Sequence, residues 1–291
     1  MDQGNFRKGL FMAMGAGICW GTTGLFSTML FQQGFDPLSV ASARIFFTTL
    51  VFLFFFLPGR VSRLAISTKE LAFLAIFSFI GVTLFNYFYL QAVQQVGISV
   101  AVVLLYTSPL FVVFFSSVVL GEPITRVKLI SIGLLLSGTI FVVQAYQVAL
   151  LRINSTGVLL GLGAGFTFGL LSVFGKIPLV KAAQLTKMFY MFLFGSFFFA
   201  LFHPPWRLFS HDISFISAFA LAGLVLVATF LAYTLYILAL SYLEAGKASI
   251  AVALEPVAAI VFAFLFFGEV LYADQYLGVL LVLCGIVLIS R

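Results

Sequence analysis

Leu254-Glu-Pro-Val-Ala-Ala-Ile-Val-Phe-Ala-Phe-Leu-Phe-Phe-Gly-Glu269 has an earlier counterpart in the same chain, where Ser108-Pro109 runs through an apolar stretch to Gly121-Glu122. Gly121 follows Pro109 by twelve positions, as Gly268 follows Pro256. Adding 147 carries Tyr89 to Tyr236, Ala92 to Ala239, Glu122 to Glu269 and Gly138 to Gly285. A shift of 148 carries Ala16-Gly17 and Gly21 onto Ala164-Gly165 and Gly169, with Trp20 falling on Phe168. Single apolar residues recur by chance in such a chain; Pro, Gly and Glu at fixed offsets do so far less readily. A period this long is no solenoid, so the duplication predicts two halves, 1–147 and 148–291, of a single membrane domain.

The 291 residues are 63% hydrophobic and 8% charged, with a mean hydropathy of +1.21. A soluble fold cannot bury that much apolar surface, so lipid must solvate most of it. Ten spans are predicted at 9–31, 37–57, 70–92, 98–120, 127–146, 155–177, 182–202, 214–239, 246–267 and 273–290. Each is long enough to cross a hydrocarbon core of about 30 Å. Breakers separate them at Gly34-Phe-Asp-Pro37, Pro58-Gly59, Gly121-Glu-Pro123 and His203-Pro-Pro205. The 38 Phe residues fall mostly inside spans, where lipid contact and helix packing account for them. The first span is too long and too poorly ended for a cleaved signal peptide. Cys19 and Cys284 lie in apolar runs, which argues against a disulfide framework. Asn154-Ser-Thr156 matches a glycosylation acceptor, a pattern short enough to arise by accident.

The net charge of +6 comes from basic residues scattered over loops, which points to topogenic charge and away from nucleic acid. With the amino terminus inside, the cytoplasmic side carries Arg7, Lys8, Arg60, Arg63, Lys69, Arg126, Lys128, Lys176, Lys181, Lys247 and Arg291, against Arg152 and Arg207 outside. Both termini are therefore expected on the cytoplasmic side of a bacterial or archaeal cytoplasmic membrane. Five spans per half is an odd number, so the halves cross in opposite senses. The expected fold is an all-α integral membrane protein, ten transmembrane helices in two inverted five-helix repeats, with a site near the midplane. Gly17 and Gly21, and Gly161, Gly165 and Gly169, place small residues at four-residue spacing for close helix contact.

The doubled Pro-to-Gly-Glu run, the trailing Gly133, Gly138, Gly278 and Gly285, the Ala16-Gly-Ile-Cys-Trp-Gly21 segment and Arg44 together resemble the EamA-type transporters of the drug/metabolite transporter superfamily. The resemblance covers nearly the whole chain. It implies ten helices in two inverted repeats and a carrier of small metabolites, often amino acids or related compounds, frequently directed outward. Gly97 has no glycine mate, and Arg44 is matched only by Lys187 after a small deletion.

Charges inside a bilayer cost about 2.5–3.5 kcal/mol each on insertion scales and usually face a cavity or a partner. Glu255 falls near the middle of the ninth span, Arg44 in the second and Lys187 in the seventh. Glu255 shares a helical face with Ala248, Ala251, Ala258 and Ala259, which leaves room for a backbone or a ligand. It is a candidate to take a proton or to bind a substrate ammonium; an ion pair that fixes register is the structural alternative. Its repeat mate is Ser108. Asn86 and Tyr89, their mates Tyr233 and Tyr236, and Trp20, Tyr106 and Thr107 supply polar and aromatic walls suited to an amphipathic solute, about half of them expected to line the cavity. Pro109 and Pro256 are candidate hinges, with static kinks as the alternative. Glu122 and Glu269, each at a helix end, are expected to be structural.

The partners expected are lipid, a small metabolite and protons as a coupling ion, with no cofactor and no metal. An enzyme would need a nucleophile and base or metal ligands, yet the two histidines, His203 and His211, share one loop. No Walker-type loop is present to couple ATP. A channel would show rings of like residues, and a scaffold would carry partner-binding segments. A carrier working by alternating access fits better than any of these.

Overall fold

The computed structural model describes residues 3–56, 64–148, 154–177, 183–210 and 212–290. Pro58-Gly59, Arg60, Arg63, Arg152, Lys181, His211 and Arg291 lie outside the described residues. All regular structure among them is helical. The long helices are α1 (Gln3–Gln32), α2 (Pro37–Phe56), α3 (Thr68–Val96), α4 (Ile98–Leu120), α5 (Arg126–Val142), α6 (Ser155–Phe174), α7 (Gln184–Phe202), α8 (Phe215–Leu240), α9 (Ala245–Phe267) and α10 (Ala273–Ile289). Eight of them are long and apolar enough to cross a membrane; α5 and α10, at 17 residues, are shorter. At 1.5 Å per residue these two reach about 25 Å. The predicted span 127–146 is cut back because the chain turns after Val142, with Gln144 at φ 49°.

Local signals set the helix ends. Asn154 accepts from the Gly157 N–H at 2.6 Å and caps α6, so its side chain is used as a helix cap. Ser67 and Glu70 form a capping box at the start of α3. Gly121 and Gly268 end α4 and α9 at the same left-handed conformation, φ 69°, which favours glycine. The 147-residue offset recurs in the backbone: α3 and α8 each contain a π-helical turn, at Phe79–Leu84 and at Leu226–Leu231.

Packing is reciprocal. Helix α1 packs on α8 and α9, and α6 packs on α3 and α4; α2 pairs with α7, and α5 with α10. The four-residue glycine spacing permits the close approaches. Gly17 lies against Val252 and Gly21 against Ala258 in α9, while Gly165 lies against Leu105 and Gly169 against Phe111 in α4, 147 residues earlier in each case. Between α5 and α10 the backbones nearly touch, since a Cβ on Gly278 would sit 2.6 Å from the Val142 nitrogen.

The two faces of the bundle differ. At the face where α1 begins, the first half of α9 packs on the second half of α4, and Gly246 sits against Val113. At the opposite face the corresponding halves scarcely meet, and Phe264, Leu265, Phe266 and Val270 of α9 and its exit are exposed. The amino-terminal face is also tied by charge. Glu122 accepts from Lys176 Nζ at 2.7 Å and from the Ala245 N–H at 2.9 Å, whereas Glu269 is exposed.

Two predictions follow from this packing. Gly278→Leu should destabilise the protein by about 1–3 kcal/mol through overpacking, while Gly133→Ala, into open space, should change thermal stability in detergent by less than about 0.5 kcal/mol. Burial raises the Glu122 carboxyl, but the hydrogen bonds from Lys176 and the Ala245 and Gly246 N–H groups outweigh it and hold it below its ordinary range. A depressed folded value means that this stabilisation is full above the unfolded carboxylate value and is lost as pH falls through the folded one. Melting temperature should therefore fall more steeply on acidification in the wild type than in Glu122→Gln; equal slopes would contradict this.

Candidate substrate site

Helices α4 and α9 are both interrupted in mid-course. Helix α4 breaks at Tyr106–Thr107 and resumes at Ser108; α9 tightens to a 3-10 turn at Val252–Leu254 and resumes at Glu255. Pro109 and Pro256 stand at the start of the resumed helices, where their missing N–H groups cost little. The prolines thus follow the breaks and do not lie inside continuous helices. The breaks meet: the Tyr106 hydroxyl donates to Glu255 Oε2 at 2.9 Å. Glu255 sits in the first turn of its resumed helix, where the N-terminal end of the dipole favours a carboxylate.

Arg44 on α2 faces this pair. Its Nη2 donates to Asn86 Oδ1 at 2.7 Å, and Asn86 Nδ2 donates to Val82 O within the π-helical turn at 2.7 Å. The turn thereby fixes the Asn86 amide so that its oxygen meets the guanidinium. Arg44 Nε is buried without a partner. Arg44, Glu255, Tyr89 and Tyr233 are within electrostatic range of one another, yet Arg44 and Glu255 form no ion pair within 4.0 Å. Arg44, Tyr89 and Glu255 are half-buried within the bundle.

Aromatic rings cluster beside this group. Trp20 lies edge-on to Tyr233, with centroids 5.0 Å apart, and to Phe168 at 5.8 Å, and is tilted against Tyr236 at 5.3 Å. The Tyr236 hydroxyl reaches Ser172 Oγ at 2.7 Å, and Tyr236 is fully buried. Of the sequence-predicted residues, Arg44, Tyr89 and Glu255 are half-buried, while Trp20, Asn86, Tyr106, Tyr233 and Tyr236 are buried around them. Thr107 is turned back onto Leu104 O at 2.6 Å.

Lys187 is placed apart from this group. It falls in the first turn of α7, within electrostatic range of Glu70, beside Phe73, Phe77 and Met188. The predicted span 182–202 and α7, which begins at Gln184, both contain Lys187 near their start. Phe168 and Ser172 were missed, although Phe168 was visible as the repeat mate of Trp20. The ion pairs of Glu122 and Lys128 were missed too; Lys128 near the edge of an apolar run was their one signal.

Near the opposite face, His203 Nε2 lies 2.8 Å from Ser39 Oγ and 4.0 Å from Asp36 Oδ1. Both contacts use the same ring nitrogen, so the carboxylate does not orient the other one as a nucleophilic relay requires. Together with the Ser42 hydroxyl, which donates to His203 O at 2.6 Å, the group staples α2 to α7. Among the described residues no cluster of three or more His, Cys, Asp or Glu side chains is arranged to hold a metal.

Similarity to known proteins agrees with this architecture. An uncharacterized transporter of Archaeoglobus fulgidus is 28% identical over 270 residues, covering 92% of each chain. The uncharacterized inner membrane transporter YicL of Salmonella typhimurium is 24% identical over 292 residues, covering 99% of this chain and 97% of its own. A solved crystal structure matches the fold with a TM-score of 0.79 at 16% identity, over 96% of this chain and 95% of that one. The model of the EamA-like transporter family matches residues 7–144 and 155–291, so the chain belongs to that family of membrane transporters.

Proposed function

We propose that the chain is a secondary carrier that moves a small organic metabolite, an amino acid or related compound, across the cytoplasmic membrane by alternating access. Export is the direction the family resemblance implies. The observation that carries this reading is the pair of opposite charges, Arg44 and Glu255, inside the bundle where two interrupted helices meet. Arg44 uses one of its five donors on Asn86 and leaves Nε unpartnered. A guanidinium so placed suits a carboxylate, which takes two donors side by side. Glu255, opposite and held by Tyr106, suits an ammonium or carries a coupling proton.

In this reading all ten helices cross the bilayer as two inverted repeats, 1–147 and 148–291, with both termini cytoplasmic. The matched π-turns, the matched glycine contacts and the reciprocal packing of α1 and α6 support a two-fold relation. Helices α5 and α10 cross despite their length by packing on each other and thinning the bilayer locally. Among the described residues, Arg7, Lys8, Lys69, Arg126, Lys128, Lys176 and Lys247 lie toward the amino-terminal face and Arg207 toward the other, in keeping with a cytoplasmic amino terminus.

Counterflow in proteoliposomes tests the proposal. Vesicles preloaded with unlabelled amino acids and other small metabolites should accumulate external label transiently; equilibration without overshoot would indicate a channel. Arg44→Gln should weaken binding of the transported solute by about tenfold to a hundredfold. Glu255→Gln should abolish accumulation driven by a pH gradient, and unchanged accumulation would remove the proton from the mechanism.

A further inference from the structure

The charges at the amino-terminal face converge on one short segment, Leu243 to Gly246, at the start of α9. Glu122 Oε1 accepts from the Ala245 N–H at 2.9 Å and from Lys176 Nζ at 2.7 Å, and Glu122 Oε2 accepts from the Gly246 N–H at 3.4 Å. Lys176 Nζ donates also to Leu243 O at 2.7 Å. Lys128 Nζ, whose side chain is 1% exposed, donates to Pro123 O at 2.8 Å. The same Nζ stands 2.6 Å from Glu244 Oε2, a contact close in distance but poorly angled for a hydrogen bond. Lys247 approaches the other Glu244 oxygen at 4.0 Å. Groups from the α4–α5 connection, from α5 and from the end of α6 therefore grip the entry of α9. Beneath them Gly246 packs on Val113 of α4.

The 147-residue offset supplies an internal control. The mate of Glu122 is Glu269, exposed and without a side-chain partner among the described residues. The mate of Lys128 is Gln275, which donates to Val142 O at 2.9 Å, and the mate of Glu244 is Gly97. Among the described residues this ionic grip is thus built at one face only, the face where α4 and α9 pack together. We propose that the Glu122–Lys176 and Lys128–Glu244 pairs are a latch that holds the amino-terminal face shut and must come apart before cargo passes there. The opposite face lacks these pairs and is the one open at rest. Buried ion pairs add little to stability against apolar replacements of similar shape, but an unpaired member is costly. Opening must therefore unpair and hydrate Lys128 and Glu122, whose side chains are 1% and 7% exposed, which sets a barrier at this face.

The latch rests on the carrier reading, and the test separates the two. Reporter cysteines are placed at the repeat-equivalent contacts, Val113→Cys under the latch and Ile260→Cys at the opposite face, in a Cys19→Ala, Cys284→Ala background. Labelling of the purified full chain by a water-soluble maleimide should be slow at position 113 and fast at 260. Removing both partners with Lys128→Met and Glu244→Gln should raise the rate at 113 at least tenfold and lower it at 260. The exchanged pair, Lys128→Glu with Glu244→Lys, should return both rates toward the starting values, and Glu269→Gln should leave them unchanged. Rates unaltered by unlatching would overturn the proposal, and so would rates that rise together, which report a loosened fold. Should the double variant not fold, Glu244→Gln alone, at a half-exposed position, gives the same reading in smaller measure. Failure of wild-type counterflow would instead strike the carrier reading and leave the labelling pattern intact.

Discussion

A bilayer interior supplies no water to unpaired backbone groups or to charge, so every interruption of a helix and every ionised side chain there needs a partner inside the protein. The Tyr106–Glu255 hydrogen bond meets that constraint where it is most severe. It joins the break in α4 to the break in α9, with the carboxylate at a fresh helix N-terminus. Arg44 meets the same constraint through Asn86, which is itself anchored by the π-helical turn of α3. Neither charge neutralises the other by direct contact. In the proposed carrier the two charges, with aromatic rings beside them, suit a ligand with two opposite charges.

The halves share a backbone plan and differ in side chains. Matched left-handed glycines, matched π-turns and matched glycine contacts give the two ends of the bundle equivalent helix crossings. Glu255 against Ser108, Glu122 gripped against Glu269 exposed, and Lys128 against Gln275 make those ends chemically unlike. In the proposed carrier, a two-fold scaffold would provide two states of similar packing energy, with the unlike side chains deciding which is populated. On that reading the packed crossing at the amino-terminal face and the parted one opposite are one of the two.

Much of this was legible in the sequence. Recurring Pro, Gly and Glu residues gave the duplication, because such residues are placed by backbone need and survive where apolar residues interchange freely. Arg44 and Glu255 stood out since charge inside an apolar run is costly. The distance of Lys187 from Arg44 and Glu255 was not legible, because a charge within an apolar run signals its cost and not its neighbours; only the fold sets Lys187 in the first turn of α7, near Glu70. The partners of Glu122 were hidden for another reason: Lys176 and Ala245 lie 54 and 123 residues away, and only the folded crossing of α4, α6 and α9 brings them together. That the breaks precede Pro109 and Pro256 was not legible, since proline marks a disturbed helix, hinge or kink, without saying on which side the disturbance falls.

The most direct measurement is of the distance between α4 and α9 at both faces in one preparation, by pulsed electron spin resonance. Spin labels would be placed at Leu120 and Lys247 for the amino-terminal face and at Ile98 and Phe267 for the other. Alternating access predicts two populations at each face, short at one where long at the other, with cargo shifting both in opposite directions. A single distance at each face, unmoved by any solute that counterflow shows to be carried, would contradict it.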